Sequence, residues 1–115
     1  MRQLLTFFAL CTLTACSTSI PTQYFTLPDS QYTVPPQHTV EMPVRVILAD
    51  PIGNGGLVYQ TDVNRINFAR NHLWAMPLDD ALAASFSNKL NQLNPSYAFV
   101  PASRSNKNTP LKIYI

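Results

Sequence analysis

The sequence has few charged residues, few glycines and only two cysteines, and these shortages narrow the classes of protein it can represent. Charged residues make up 12% of the 115 positions, with eight Lys or Arg against six Asp or Glu. The basic residues are scattered and form no cluster or stripe, so nothing predicts nucleic-acid binding. The hydrophobic content of 46% nevertheless excludes a chain that is disordered by composition. One small domain is expected.

The N-terminal stretch lacks the length of a membrane-spanning helix. Its apolar run, from Leu4 to Leu13, is shorter than the roughly 18 residues that a span requires. Arg2 precedes the run and small residues follow it, which is typical of a secretory signal. Cys11 lies inside this leader and is lost with it, so Cys16 has no internal disulfide partner.

Leu13-Thr14-Ala15-Cys16 matches the bacterial lipobox. Prelipoprotein processing attaches a diacylglyceryl group to the thiol and cuts before that cysteine, so the preceding residues must be small. The alternative, an ordinary secretory signal followed by an incidental cysteine, explains the small residues less well. We therefore predict cleavage after Ala15 and lipidation of Cys16, since two or more acyl chains make release from a membrane negligible.

The lipobox divides the chain into three parts: a signal peptide at 1–15, a lipidated tether at 16–23 and a domain at 24–115. Ser17 follows the lipidated cysteine. In the common Gram-negative sorting rule, Asp at that position retains a lipoprotein at the inner membrane, whereas Ser permits export. The predicted location is the periplasmic face of the outer membrane.

The domain alternates short strand patterns with one helix pattern, which predicts an α/β (α+β) fold. We expect a small mixed or antiparallel sheet packed against one amphipathic helix. In the second strand pattern, Val44 and Val46 share one face and Arg45 lies on the other. Arg70-Asn71 is predicted as a turn between two extended pieces. Strands are predicted at 24–27, 43–48, 57–61, 64–69, 72–75, 97–100 and 111–115.

The predicted helix runs from about Leu78 to Leu93. Pro77 precedes it, where a missing N–H costs nothing, and Asp79 and Asp80 suit the positive end of its dipole. Asn94-Pro95 ends it. Apolar residues at helical spacing predict the buried face: Leu78, Leu82, Phe86, Leu90 and Leu93. The outer face is predicted to hold Asp80, Ala83, Ala84, Ser87 and Asn91.

No catalytic or metal-binding constellation stands out, and no cofactor is expected. His38 and His72 have no Cys, His or Glu at a ligand spacing, and Asp79 and Asp80 diverge on a helix. Residues 53–56 (Gly-Asn-Gly-Gly) read as a turn and not as a phosphate loop, because a strand follows. Trp74 has two interpretations, a core residue beside the helix start and a binding anchor.

Two motifs together resemble a known family. Val58-Tyr59-Gln60 precedes Leu73-Trp74-Ala75-Met76-Pro77-Leu78 at the mouth of the helix, and an early Tyr24-Phe25-Thr26-Leu27 strand follows the lipidated cysteine. This combination resembles the PqiC-type auxiliary lipoproteins of ABC-type intermembrane transport systems, which are not enzymes. Family members continue with further strands and a second helix beyond the position of Ile115, so the resemblance implies that this chain is truncated there.

The resemblance implies partners as well as a fold. Such a lipoprotein would dock an MCE-domain periplasmic tunnel protein that works with an integral inner-membrane component to move lipids or other hydrophobic molecules. Tyr59 and Trp74 are the candidate partner-binding residues, and self-assembly is also considered. Two other classes remain open: a regulator or structural factor of cell-envelope assembly, and a hydrolase whose catalytic residues follow Ile115.

Overall fold

A computed structural model describes residues 17–36 and 40–115, so Cys16 and His38 lie outside the described part of the chain. Within these ranges the chain forms strands and one α-helix, which confirms the α/β class. In chain order they are β1 (Gln23–Phe25), β2 (Glu41–Ile47), β3 (Gly56–Asp62), β4 (Arg65–Trp74), α1 (Leu78–Leu93), β5 (Ala98–Pro101) and β6 (Leu111–Tyr114). The strands divide into two three-stranded sheets, β1-β4-β3 and β5-β2-β6.

The β5-β2-β6 sheet holds the centre of the core. Both outer strands run parallel to β2, which is therefore hydrogen-bonded on both sides. Val44 is completely buried and Val46 is 4% exposed, whereas Arg45 between them is exposed. The alternation predicted for this strand is confirmed. Parallel neighbours require long connections, and between β2 and β5 the chain inserts a hairpin and α1.

The β1-β4-β3 sheet is built on an antiparallel β3–β4 hairpin, with β1 added in parallel to the end of β4. The turn predicted at Arg70-Asn71 is wrong, because β4 continues through it to Trp74. β1 supplies pairing partners for the last three residues of β4 and so holds them extended. The pairing of β4 with β3 shifts register between Phe68 and Leu73. The turn-like Arg70-Asn71 pair lies within this irregular part of the strand.

Helix α1 has the predicted bounds but buries the opposite face from the one predicted. Its buried residues are small or polar: Ala81, Ala83, Ala84, Ser87 and Asn88. The large apolar residues predicted to be buried are only partly covered, and Leu93 is 72% exposed. The prediction of the buried face is therefore wrong. Small side chains let the helix backbone approach β2 and β5, the strands it contacts, more closely than a row of leucines would.

Two asparagines fix this orientation with hydrogen bonds. The Asn91 amide donates to the Phe99 carbonyl at 2.9 Å and accepts from the Phe99 N–H at 2.7 Å, which ties α1 to β5. Asn88, 8% exposed, accepts from the Thr33 N–H at 2.9 Å and donates to two carbonyls of residues 29–31. Asn91 was expected on the outer face, and backbone partners on β5 draw it inward instead.

Candidate docking surface

The β1-β4-β3 sheet carries most of the exposed aromatic side chains of the described residues. Helix α1 packs on the other sheet, so apolar side chains of this sheet remain in contact with solvent. The register places Val58 opposite Phe68 and Gln60 opposite Ile66, on one face of the hairpin. Exposed residues on the sheet and its turn are Tyr24, Phe25, Tyr59, Val63, Ile66 and Phe68.

The structure brings the two candidate partner-binding residues together. Tyr59 and Trp74 line one cavity of about 310 Å³, here called the Trp74 cleft, together with Ile52, Leu57, Ile66 and Leu78. Tyr59 is 52% exposed and Trp74 is half-buried. Leu78 opens α1, so Trp74 both packs beside the helix start and contributes to an open surface.

A glycine turn closes the rim of the Trp74 cleft. The Trp74 N–H donates to the Gly55 carbonyl at 2.9 Å. Gly55 has a φ of 78°, a backbone conformation that glycine adopts without steric cost. The turn predicted for residues 53–56 is confirmed at residues 53–55, and Gly56 already begins β3. Gly56 is buried, and a Cβ there would lie 3.3 Å from the Ala69 carbonyl oxygen, so the hairpin strands approach closely at the cleft.

A second and larger cavity, about 760 Å³, lies on the same hairpin next to the tether. We call it the tether-side cavity. Its lining includes Ile20 of the tether together with Tyr59, Phe68, Arg70 and His72. The His72 ring stacks on Phe25, with centroids 5.7 Å apart and an interplanar angle of 27°. His72 is exposed and stacks on a neighbouring aromatic ring of the same sheet.

Polar groups elsewhere hold the fold together. Ser105 donates to the Glu41 carboxylate, and Lys107 Nζ donates to the Glu41 carbonyl at 3.0 Å. The Arg104 guanidinium lies 5.8 Å from the centroid of the Tyr32 ring. Burial raises the pKa of Tyr32 despite a hydrogen bond with Asn91 that lowers it, so this phenol stays neutral at physiological pH. The Glu41 contacts fasten β2 to the loop before β6, and the Tyr32 contacts join residue 32 to Arg104 and to α1.

The described part of the chain contains no cluster of side chains that could bind a metal ion. Over residues 17–36 and 40–115, no three His, Cys, Asp or Glu side chains are placed to share a metal ion. Asp79 and Asp80 lie in the first turn of α1, where their negative charges interact favourably with the positive end of the helix dipole. Within the same ranges, no helix has the length and apolarity to cross a membrane.

Comparisons with known proteins give one family and one fold. The comparison with curated proteins gave no match. A solved structure described as "Crystal structure of uncharacterized protein" is similar, with a TM-score of 0.62 and 23% identity over 83% of this chain and 57% of that one. This likeness concerns the fold alone. The chain spans little more than half the length of that structure.

The family of this chain is shown by a match between its sequence and a protein-family model. The model described as "ABC-type transport auxiliary lipoprotein component" matches residues 25–113. This range includes β2 to β5, α1, most of β6 and the last residue of β1, together with the Val58–Gln60 and Leu73–Leu78 motifs. The family resemblance inferred from Val58-Tyr59-Gln60 and the Leu73–Leu78 segment is confirmed. The chain belongs to the family of ABC-type transport auxiliary lipoprotein components.

Proposed function

We propose that this protein is the outer-membrane-anchored, periplasmic auxiliary lipoprotein of an MCE/ABC-type intermembrane transport system. In this role it docks the periplasm-spanning MCE-domain partner and performs no catalysis of its own. The family match over residues 25–113 is the observation that carries the proposal, because this family serves ABC-type transport. The cargo would be a lipid or another hydrophobic molecule.

The anchor in this proposal is Cys16. The lipobox that ends at this residue supplies the acylation site, and Ser17 permits export to the outer membrane. Only six residues, 17–22, separate Cys16 from the first residue of β1. Gln23 lies seven Cα–Cα steps from Cys16, and seven steps span at most about 25 Å, so the β1-β4-β3 sheet is held close to the membrane.

The docking site in this proposal is the Trp74 cleft. Interfaces concentrate their binding energy in a few aromatic and arginine side chains near the centre of the contact. Tyr59 and Trp74 supply two such side chains on one concave surface. Trp74 is half-buried and packs beside Leu78, which limits the rotamer freedom that it loses on binding. An apolar side chain of the partner would fill the cleft between the two rings.

Tyr59→Ala is expected to weaken binding to the purified MCE-domain partner by roughly 30-fold, which corresponds to a hot-spot loss of about 2 kcal/mol. Surface plasmon resonance on the acylated protein held in a supported bilayer measures this change. Tyr114→Ala is the matched control, because Tyr114 is 71% exposed and lies on β6 of the other sheet.

Three outcomes contradict parts of the proposal. Failure of the wild-type protein to bind the MCE-domain partner contradicts the function, and binding to a cell-wall synthase in its place favours an envelope-assembly role. Equal affinities of the Tyr59→Ala and Tyr114→Ala variants contradict the site while leaving the function in place.

A further inference from the structure

The path of the tether brings one end of the hairpin to the anchor. β1 runs parallel to β4 with Gln23 opposite His72, so residues before Gln23 run back along β4 toward its beginning. Ile20 accordingly lies in the tether-side cavity beside Phe68. Three residues, 17–19, separate Ile20 from Cys16, and the four Cα–Cα steps between them span at most about 14 Å. The tether-side cavity is therefore held within that distance of the residue proposed to carry the acyl chains.

The same end of the hairpin exposes apolar side chains to solvent. Val63, in the turn between β3 and β4, is 82% exposed, and Ile66 and Phe68 at the start of β4 are about half-exposed, at 51% and 49%. Ile20 in the tether is 72% exposed. Four apolar side chains thus lie on the tether and the adjoining hairpin end, where a soluble surface would ordinarily carry polar groups.

Cationic side chains accompany these apolar ones. Arg65 and Arg70 are both exposed on β4, and neither has an ion-pair partner among the described residues. Asp62, opposite Arg65, is the one acidic residue of the two hairpin strands. A guanidinium binds a phosphate oxygen pair in a bidentate manner. Apolar side chains flanked by arginines are suited to the interface of an anionic membrane.

We propose that the hairpin end lies against the bilayer that holds Cys16. Val63 and Phe68 then reach the boundary between headgroups and acyl chains, and Arg70 binds the phosphates of anionic lipids. This inference rests on the proposed anchor at Cys16. A membrane, and not a protein, is the occupant because the tether runs to this surface. Tyr59 lines both cavities and marks the boundary with the Trp74 cleft, whose lining includes no tether residue.

The test uses the mature protein, acylated on Cys16, in vesicles of phosphatidylethanolamine, phosphatidylglycerol and cardiolipin without any partner protein. Val63→Cys is labelled with the environment-sensitive dye NBD, and Asn108→Cys, in the exposed loop before β6, is the control. We expect the label at 63 to be several-fold less accessible to an aqueous quencher than the label at 108. Equal quenching at both positions overturns the inference.

Arg70→Gln separates the electrostatic contribution from the anchor itself. It is expected to increase quenching of the label at 63 in anionic vesicles and to leave quenching unchanged in phosphatidylcholine vesicles. Lys112→Gln, which removes one exposed positive charge on β6, is the control. An unacylated Cys16 contradicts the proposed function, whereas an acylated chain fully quenched at 63 overturns only this inference.

Discussion

Replacing Cys16 with Ser is expected to move the protein from the membrane fraction to the soluble periplasmic fraction almost completely. A serine hydroxyl is not alkylated by prelipoprotein processing, so the variant carries no diacylglyceryl group. Each buried methylene contributes about 0.8 kcal/mol, and a second acyl chain converts marginal binding into stable anchoring. Metabolic labelling with a palmitate analogue, followed by fractionation, measures the change.

The leader offers a matched control for this experiment. Cys11→Ser changes the other cysteine of the chain and leaves the lipobox intact, so labelling and membrane association are expected to stay at wild-type levels. Acyl labelling that persists in the Cys16→Ser variant would show that the lipobox assignment is wrong. Loss of labelling in the Cys11→Ser variant would point to the same conclusion.

Asn88→Ala is expected to lower the free energy of unfolding by about 2–3 kcal/mol. The change removes three hydrogen bonds that hold residues 29–33 against α1, and it leaves a partly buried N–H of Thr33 unpaired. Alanine is the better helix former, by at most about 0.7 kcal/mol, so the lost hydrogen bonds dominate. Urea denaturation followed by circular dichroism measures the difference.

Lys89 provides the neighbouring control for this prediction. It is exposed on the same helix, and Lys89→Ala is expected to change the free energy of unfolding by less than about 0.5 kcal/mol. For a domain of this size, the Asn88 variant is expected to melt roughly 10–20 °C lower. Matching melting temperatures for the two variants would mean that Asn88 does not anchor the 29–33 segment.

Local sequence patterns predicted the β2 strand and the ends of α1, because side-chain alternation and proline geometry act over a few neighbouring residues. The alternation of Val44, Arg45 and Val46 identified a strand with one buried face, as observed. Pro77 and Asn94-Pro95 marked the ends of the helix, because proline fits the helix start and ends the hydrogen-bond ladder elsewhere. The bounds of α1 were therefore accessible without any tertiary information.

The errors concern contacts between segments that are distant in sequence. Helical periodicity identified the leucine stripe of α1. It does not predict which face of the helix packs against the β5-β2-β6 sheet. The side chains of Asn88 and Asn91 find partners far away along the chain or on the next strand, and these partners turn the alanine face inward. The continuation of β4 through Arg70 likewise depends on pairing with β1.

The candidate site was only partly accessible from the sequence. Tyr59 and Trp74 emerged from motifs, and the hairpin register together with the Gly55 turn places them on one cleft. The tether-side cavity was missed, because it depends on the parallel pairing of β1 with β4 that brings Ile20 beside Phe68. The exposed Val63 in the hairpin turn was the available signal, since an apolar residue is unusual at a turn.

Site-specific photo-crosslinking in living cells tests the central claim most directly. A photoreactive phenylalanine analogue replaces Tyr59 in one strain and Tyr114 in another, and mass spectrometry identifies the products. The account predicts a crosslink to an MCE-domain protein from position 59 and none from position 114. Recovery of only the uncrosslinked monomer from position 59, or the same product from both positions, would contradict it.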